Sequence, residues 1–291
     1  MSPRTETFDH TALSDLKCEE KFVRLHRDGL SRPGAVAALQ CGIAIHAGVQ
    51  AYYAGASEGL IVDAVIKGWG RADAQIGTDW RTLALAQRYV AAYMRAYPRP
   101  WPFQVLHNEG YIEGAEFTGI PDRAVERALD GLVYAFELKT TAMWLSTGWQ
   151  EAWAYSQQAA MQVELLEQRL RRLVAGFWMD AVYLSDRKDG PKASDFVRCG
   201  PFTYSTALRA DILNQVRRDS DRARDLVLGT GEPARPTGLR NGACLSYGRI
   251  CEFARFCRLD PQDRPDAYEL AQATGELVYS KWDPKQRDIS P

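Results

Sequence analysis

The chain lacks several things, and each absence excludes a class of protein. No apolar run reaches the ~18–20 residues that a membrane-spanning helix needs. The opening stretch "MSPRTETFDHTALSDLKCEEKF" has no apolar segment of the kind a secretory leader carries. These two absences lead us to expect a cytoplasmic protein with no membrane partner. Neither sign of charge is in surplus: 36 Lys and Arg against 37 Asp and Glu leave a net charge of −1. No whole-molecule field therefore draws in nucleic acid, and any such contact must come from a local basic patch. There is no internal repeat and no low-complexity tract. Six cysteines in a reducing compartment do not make a disulfide framework. Cys18 and Cys41 lie early, Cys199 stands alone, and Cys244, Cys251 and Cys257 crowd together at metal-ligand density.

What is present suits a globular α/β protein. At 46% hydrophobic residues, the chain has ample material for a sizeable core. Apolar residues at helical spacing predict helices over 34–55, with Pro33 at its start, and over 80–97, ended by "PRPWP". The period then shortens. Strands are expected at 103–112, 116–126 and 132–140, with Asp130-Gly131 as a hairpin signal between the last two. A long helix at 149–174, strands at 176–186 and 195–205, and a charged helix at 206–228 follow. No clean linker divides the chain into independent domains.

The stretch "GIPDRAVERALDGLVYAFELKTT" carries the chemistry. Side chains alternate along a strand, so Glu137 and Lys139 share a face while Leu138 points the other way. A turn at Leu129-Asp130 sets Asp122 opposite Glu137, and a turn at Asp130-Gly131 sets it opposite Lys139. In either register two carboxylates and an amine converge on one patch. Two ionised carboxylates repel unless something positive sits between them, and a hard divalent cation suits their oxygens. A surface hairpin with cross-strand charge pairs is the plainer alternative. The apolar setting of Val133, Tyr134, Phe136 and Leu138 weighs against it.

Pro121-Asp122 followed by Glu137-Leu138-Lys139 resembles the signature of the PD-(D/E)XK nuclease superfamily. The wider form "GIPDR…FELKTT" is similar to its RecB-type branch. The resemblance implies a restriction-endonuclease-like α/β core, a central mixed sheet flanked by helices, in a single nuclease domain over 1–291. Its parts would be an N-terminal helical region (1–100), a catalytic core (101–230), a cluster-binding segment (231–265) and a polar tail (266–291).

By the same resemblance, His46 in "CGIAIHAGVQAYY" is the branch's metal-binding histidine. Glu109 contributes to the metal site, with Glu113 and Glu116 as competitors. Asp122, Glu137 and the Leu138 carbonyl complete a site for Mg²⁺ or Mn²⁺, with Asp122, Glu137, Lys139 and Gln158 as the catalytic set. "YSQQAAMQ" matches a Gln-x-x-x-Tyr pattern at Gln158 but has Gln162 at the tyrosine position. Tyr155 is a substitute phenol, and Tyr155, Gln158 and Arg123 are expected at the DNA. Cys18, Cys244, Cys251 and Cys257 resemble the one-plus-three set that holds a [4Fe–4S] cluster in some members. A structural zinc is the alternative, although zinc sites usually pair cysteines at closer spacing.

The implied activity is metal-dependent DNA cleavage, most often exonucleolytic on single-stranded ends. The implied settings are phage recombination or DNA processing, CRISPR spacer trimming, and repair beside a helicase. The chain has no nucleotide-binding Gly-x-x-x-x-Gly-Lys-Ser/Thr loop, so unwinding would need a partner protein. The rival reading is a non-catalytic DNA-binding or assembly subunit that keeps fold and cluster. For gripping the DNA, Arg169, Arg171 and Arg172 are candidates. Arg217, Arg218, Arg222 and Arg224 read rather as a solvated helical face. Trp144, Trp149 and Trp153 are either base-stacking or core residues.

Overall fold

The computed structural model describes residues 7–33, 37–70, 79–246 and 249–280. The chain divides into two compact units: residues 1–33, 115–118 and 211–285 form one, and 34–114, 119–210 and 286–291 the other.

The larger unit is built on a five-stranded mixed sheet. Its strands are β1 (Phe103–Asn108), β2 (Arg123–Arg127), β3 (Val133–Thr141), β4 (Val174–Tyr183) and β5 (Phe196–Phe202), in that spatial order. Neighbours run antiparallel except β3 and β4, which are parallel. A parallel pair needs a long crossover, and here it contains helix α4 (Gln157–Leu170). Because β3 is covered on both faces, its first six residues are all buried, and of these only Glu137 is charged.

The β2–β3 hairpin pairs Arg123 with Phe136 and Val125 with Tyr134. That is the register of the turn at Leu129-Asp130, which sets Asp122 opposite Glu137. Asp130 Oδ1 accepts from the Leu132 N–H at 3.1 Å, and Gly131 takes a φ of +68°. Glu137 and Lys139 consequently face α4. Phe136 and Leu138 face a core shared with helices α1 (Ala37–Tyr53), α2 (Glu58–Trp69) and α3 (Leu83–Ala96).

Helix α1 is buried around most of its circumference. Gly48 is what lets α2 and α3 close on it. A Cβ there would lie 2.5 Å from Val65 Cγ2 and 2.9 Å from Val90 Cγ2.

The smaller unit has a core of Leu30, Phe253, Phe256, Tyr268, Ala271 and Leu277. Its N-terminal part holds the short helices His10–Asp15 and Glu19–Phe22 and a π-turn over Val23–Arg27. Leu30–Ser31 pairs antiparallel with Val278–Tyr279. Arg24 lies over the Tyr268 ring at 4.1 Å, and Glu20 accepts from Arg24 at 2.8 Å.

Several expectations need correction. The strand expected over 116–126 is two pieces, Thr118–Gly119 and β2, with Pro121, which has no N–H to pair, in the gap. The strand expected over 103–112 ends at Asn108. The helix expected over 149–174 is interrupted. Thr147–Glu151 and a 3₁₀ turn over Ala152–Tyr155 precede α4, which starts afresh where Ser156 Oγ accepts from the Ala159 N–H at 3.3 Å. The segment expected to be a polar tail carries the helix Arg264–Ala273 and the strand Val278–Tyr279. Residues 281–291, and 34–36 at the start of the first expected helix, lie outside the described residues.

Candidate active site and metal centre

Three side chains from different elements meet at one end of the sheet. His46 projects from α1, Glu109 follows β1, and Asp122 precedes β2. Each offers a ligand atom, and the three atoms lie within 4.8 Å of one another. His46 Nδ1 is 3.5 Å from Asp122 Oδ1. Asp122 Oδ2 accepts from the Leu138 N–H at 2.6 Å. Glu109 has a φ of +54°, uncommon outside glycine, and its N–H donates to the Asp122 carbonyl at 2.7 Å. Backbone of this kind clusters at functional sites, where the surroundings hold it in place.

The charges at this end are unbalanced. Burial, then the neighbouring Asp122, push the Glu109 carboxyl up to about 8. Burial alone would push Asp122 up too, but His46, Arg123 and the Leu138 N–H outweigh it and hold Asp122 below the usual range. Burial works against the His46 imidazolium, yet Asp122, Glu109 and Glu137 outweigh it and raise its pKa. A divalent cation relieves such a cluster, because it favours both carboxylates ionised. One nitrogen and two carboxylates are donors suited to Mg²⁺ or Mn²⁺.

Glu137 is held differently. It is 2% exposed. Its Oε1 accepts from Lys139 Nζ at 2.7 Å and Gln158 Nε2 at 2.6 Å, and its Oε2 accepts from Gln162 Nε2 at 2.5 Å. Burial, then Asp122, raise its pKa, against Lys139 and Gln162. The structure thus brings together His46, Glu109 and Asp122 on one side, and Glu137, Lys139, Gln158 and Gln162 on the other. Asp122 links them through Leu138, whose own side chain is buried on the opposite face of β3.

The superfamily follows from comparison. A protein-family model described as the PD-(D/E)XK nuclease superfamily matches residues 11–258. This chain belongs to the PD-(D/E)XK nuclease superfamily. Pro121-Asp122 and Glu137-Leu138-Lys139 lie within the matched residues. The sheet with helices on both faces is the corresponding α/β core. A crystal structure of a "Putative exonuclease" from Eubacterium rectale is similar, with a TM-score of 0.49 and 14% identity over 88% of this chain and 94% of that one. No curated protein matches.

Other expected residues of this superfamily member stand elsewhere. Arg123, expected at the DNA, is 1% exposed in the core behind the sheet, 4.3 Å over Tyr53 and 5.1 Å over Phe136. Strand alternation causes this, since Arg123 pairs with Phe136 and shares its face. Tyr155 is 74% exposed, at the end of the turn before α4. Glu116 pairs with Arg217 on the surface, and Glu113 is exposed. Arg172 pairs with Glu126, and Arg222 with Glu19.

The residues not anticipated are Gln162, as a holder of Glu137, and a buried ionic group behind β3. There Asp180 accepts from Arg198 Nε and Nη2, both at 2.8 Å, and from Tyr93. The signal for Gln162 was present, because Gln158 and Gln162 are four apart and share a helix face. Asp180 and Arg198 belong to separate strands, and nothing in their local sequence joins them.

In the smaller unit, Cys18 and Cys244 face one point. A Cβ on Gly238 would lie 2.9 Å from Cys244 Sγ and 3.3 Å from Cys18 Sγ. Burial raises the thiols of Cys244, Cys251 and Cys257, the last to about 11, and Cys18 adds to each shift. Cys41 and Cys199 are buried separately in the larger unit.

Proposed function

We propose that this nuclease-superfamily protein is a metal-dependent deoxyribonuclease, an exonuclease on single-stranded DNA ends. The observation that carries the reading is His46, Glu109 and Asp122 gathered beside a Glu137 fixed by Lys139. His46, Glu109 and Asp122, with Glu137 and the Leu138 carbonyl, would hold Mg²⁺ or Mn²⁺. A metal there supplies Lewis acidity and a more acidic water. Lys139 Nζ, 2.7 Å from Glu137, orients the attacking water or meets the charge that develops on the phosphate. Gln158 and Gln162 keep the Glu137 carboxylate oriented. The core side chains of α1 and β3 keep bulk water from behind the site.

Cys18, Cys244, Cys251 and Cys257 fit a [4Fe–4S] cluster of structural role. Gly238 leaves open the space between two of the sulfurs. A structural zinc on the same four thiolates is the alternative. The settings remain phage recombination or DNA processing, CRISPR spacer trimming, or repair beside a helicase partner, in the cytoplasm.

Cleavage of end-labelled single- and double-stranded DNA, with Mg²⁺, Mn²⁺ or EDTA and beside Lys139→Ala, tests the reading. Metal-dependent cutting that the folded variant loses is expected. No cutting with either metal, from a folded protein with its cluster, would favour the non-catalytic subunit.

A further inference from the structure

Between Lys139 and Gln158 the chain carries an unusual density of aromatic side chains: Trp144, Trp149, Trp153 and Tyr155. Trp144 is 71% exposed and Tyr155 74%, Met143 beside Trp144 is 52% exposed, and Trp149 and Trp153 are half-buried. An exposed tryptophan is costly in water, so a cluster of this kind marks a contact surface.

The position of the cluster is set by the sheet. Trp153 stacks on Phe177 at 6.3 Å, and Trp144 meets Tyr183 edge-on at 5.6 Å. Phe177 and Tyr183 pair with Ala135 and Thr141 across β3 and β4. They therefore project on the face that carries Glu137 and Lys139. Lys139 Nζ itself is 5.5 Å from the centre of the Trp153 ring. Trp153 thus lies at the Phe177 level of the catalytic face and Trp144 at the Tyr183 level, with Lys139 between these levels on β3, and Trp149 meets Trp153 at 6.0 Å. Rigid aromatic side chains held in this way lose little freedom on binding.

The chemistry of the segment selects its occupant. From 142 to 157 the only charged residue is Glu151. A wall without Lys or Arg offers phosphates no cationic partner, and what it adds is ring faces. A duplex hides its base faces in the stack, whereas an unpaired strand presents them.

We infer that Trp144, Trp149, Trp153 and Tyr155 form a stacking wall for the bases of an unpaired DNA strand whose backbone passes Lys139. The inference rests on the nuclease reading and adds that strand preference is encoded in base stacking rather than in phosphate contacts.

The test is binding in EDTA by fluorescence anisotropy. It uses oligo(dT), an abasic oligomer of equal length and a blunt duplex, on the full chain with its cluster. Equal phosphate counts cancel the electrostatic contribution between the first two. The protein is expected to bind oligo(dT) about fivefold or more tighter than the abasic strand, from one stacked base or more. Trp144→Ala and Tyr155→Ala, both at exposed positions and checked for fold by circular dichroism, should narrow that gap. Equal affinity for the two strands, or an unchanged gap in both variants, overturns the inference. So does a dimer that Trp144→Ala turns into a monomer in sedimentation, because the wall would then be a surface between two copies. A protein that cuts DNA without base-dependent binding defeats the wall alone. One that neither cuts with metal nor binds either strand defeats the nuclease reading as well.

Discussion

Glu137, itself buried, accepts three hydrogen bonds, and Gln162 supplies the one on Oε2. A buried carboxylate that loses such a donor has no water to replace it. Gln162→Leu should therefore leave Glu137 underpaired. A hydrogen bond to a charged group contributes about 1.5–3 kcal/mol. Cleavage is expected to fall by about tenfold or more, with weaker Mn²⁺ binding by calorimetry. Gln162→Tyr, which returns an O–H donor, should lose less. If Leu and Tyr behave alike, the hydrogen bond is not what matters.

At the same scale, Glu109 has its carboxyl raised from 4.5 to about 8. The folded protein keeps a proton that the unfolded chain releases, so stability falls as pH rises between those values. Its contribution is full below about 4.5 and is lost as pH passes through about 8. In EDTA, Glu109→Gln should flatten the decline of Tm with pH across that window. Parallel Tm curves for variant and parent would remove Glu109 from the account.

Helix α1 makes a different point at the scale of elements. It carries His46, and Gly48 allows the close approach of α2 and α3 to it. Gly48→Ala puts a methyl group 2.5 Å from Val65 Cγ2. Overpacking of this kind costs about 1–3 kcal/mol, which outweighs the gain in helix propensity of about 1 kcal/mol from replacing glycine. Urea denaturation should show a lower midpoint, and an unchanged or higher midpoint would mean that the helices can separate at little cost. Local pattern was enough to locate α1, α3, β3, β4, β5 and the charged helix Thr206–Leu228, to within a few residues. The interruption at Ala152–Tyr155 was not legible. Glu, Gln, Ala and Trp there suit a continuous helix, and the ring contact of Trp153 with Phe177 belongs to the sheet.

On the scale of the whole molecule, residues far apart in sequence make up the smaller unit. Cys18 comes from its beginning, and Cys244, Cys251 and Cys257 from its end. Its own apolar core is small, and small cores often depend on a metal or a cross-link. If these cysteines hold the proposed [4Fe–4S] cluster, Cys257→Ala should abolish bound iron and labile sulfide. It should also make the segments around residues 7–33 and 249–280 more sensitive to limited proteolysis. Loss of iron with an unchanged proteolytic pattern would show that these segments hold together without the cluster.

The sequence by itself determined which chemical groups are available and, through strand alternation, that Glu137 and Lys139 share a face. Local order is enough for that, because a strand's period is two whatever surrounds it. The hairpin fragment also narrowed Asp122 to two registers. Only the tertiary structure chose between them. Only it brought His46 and Glu109 to Asp122, buried the face on which strand alternation sets Arg123, gave Gln162 a carboxylate to hold, and left Trp144 in solvent. These outcomes depend on how helices pack on the two faces of one sheet, and contacts between residues tens of positions apart leave no mark in either residue's own neighbourhood.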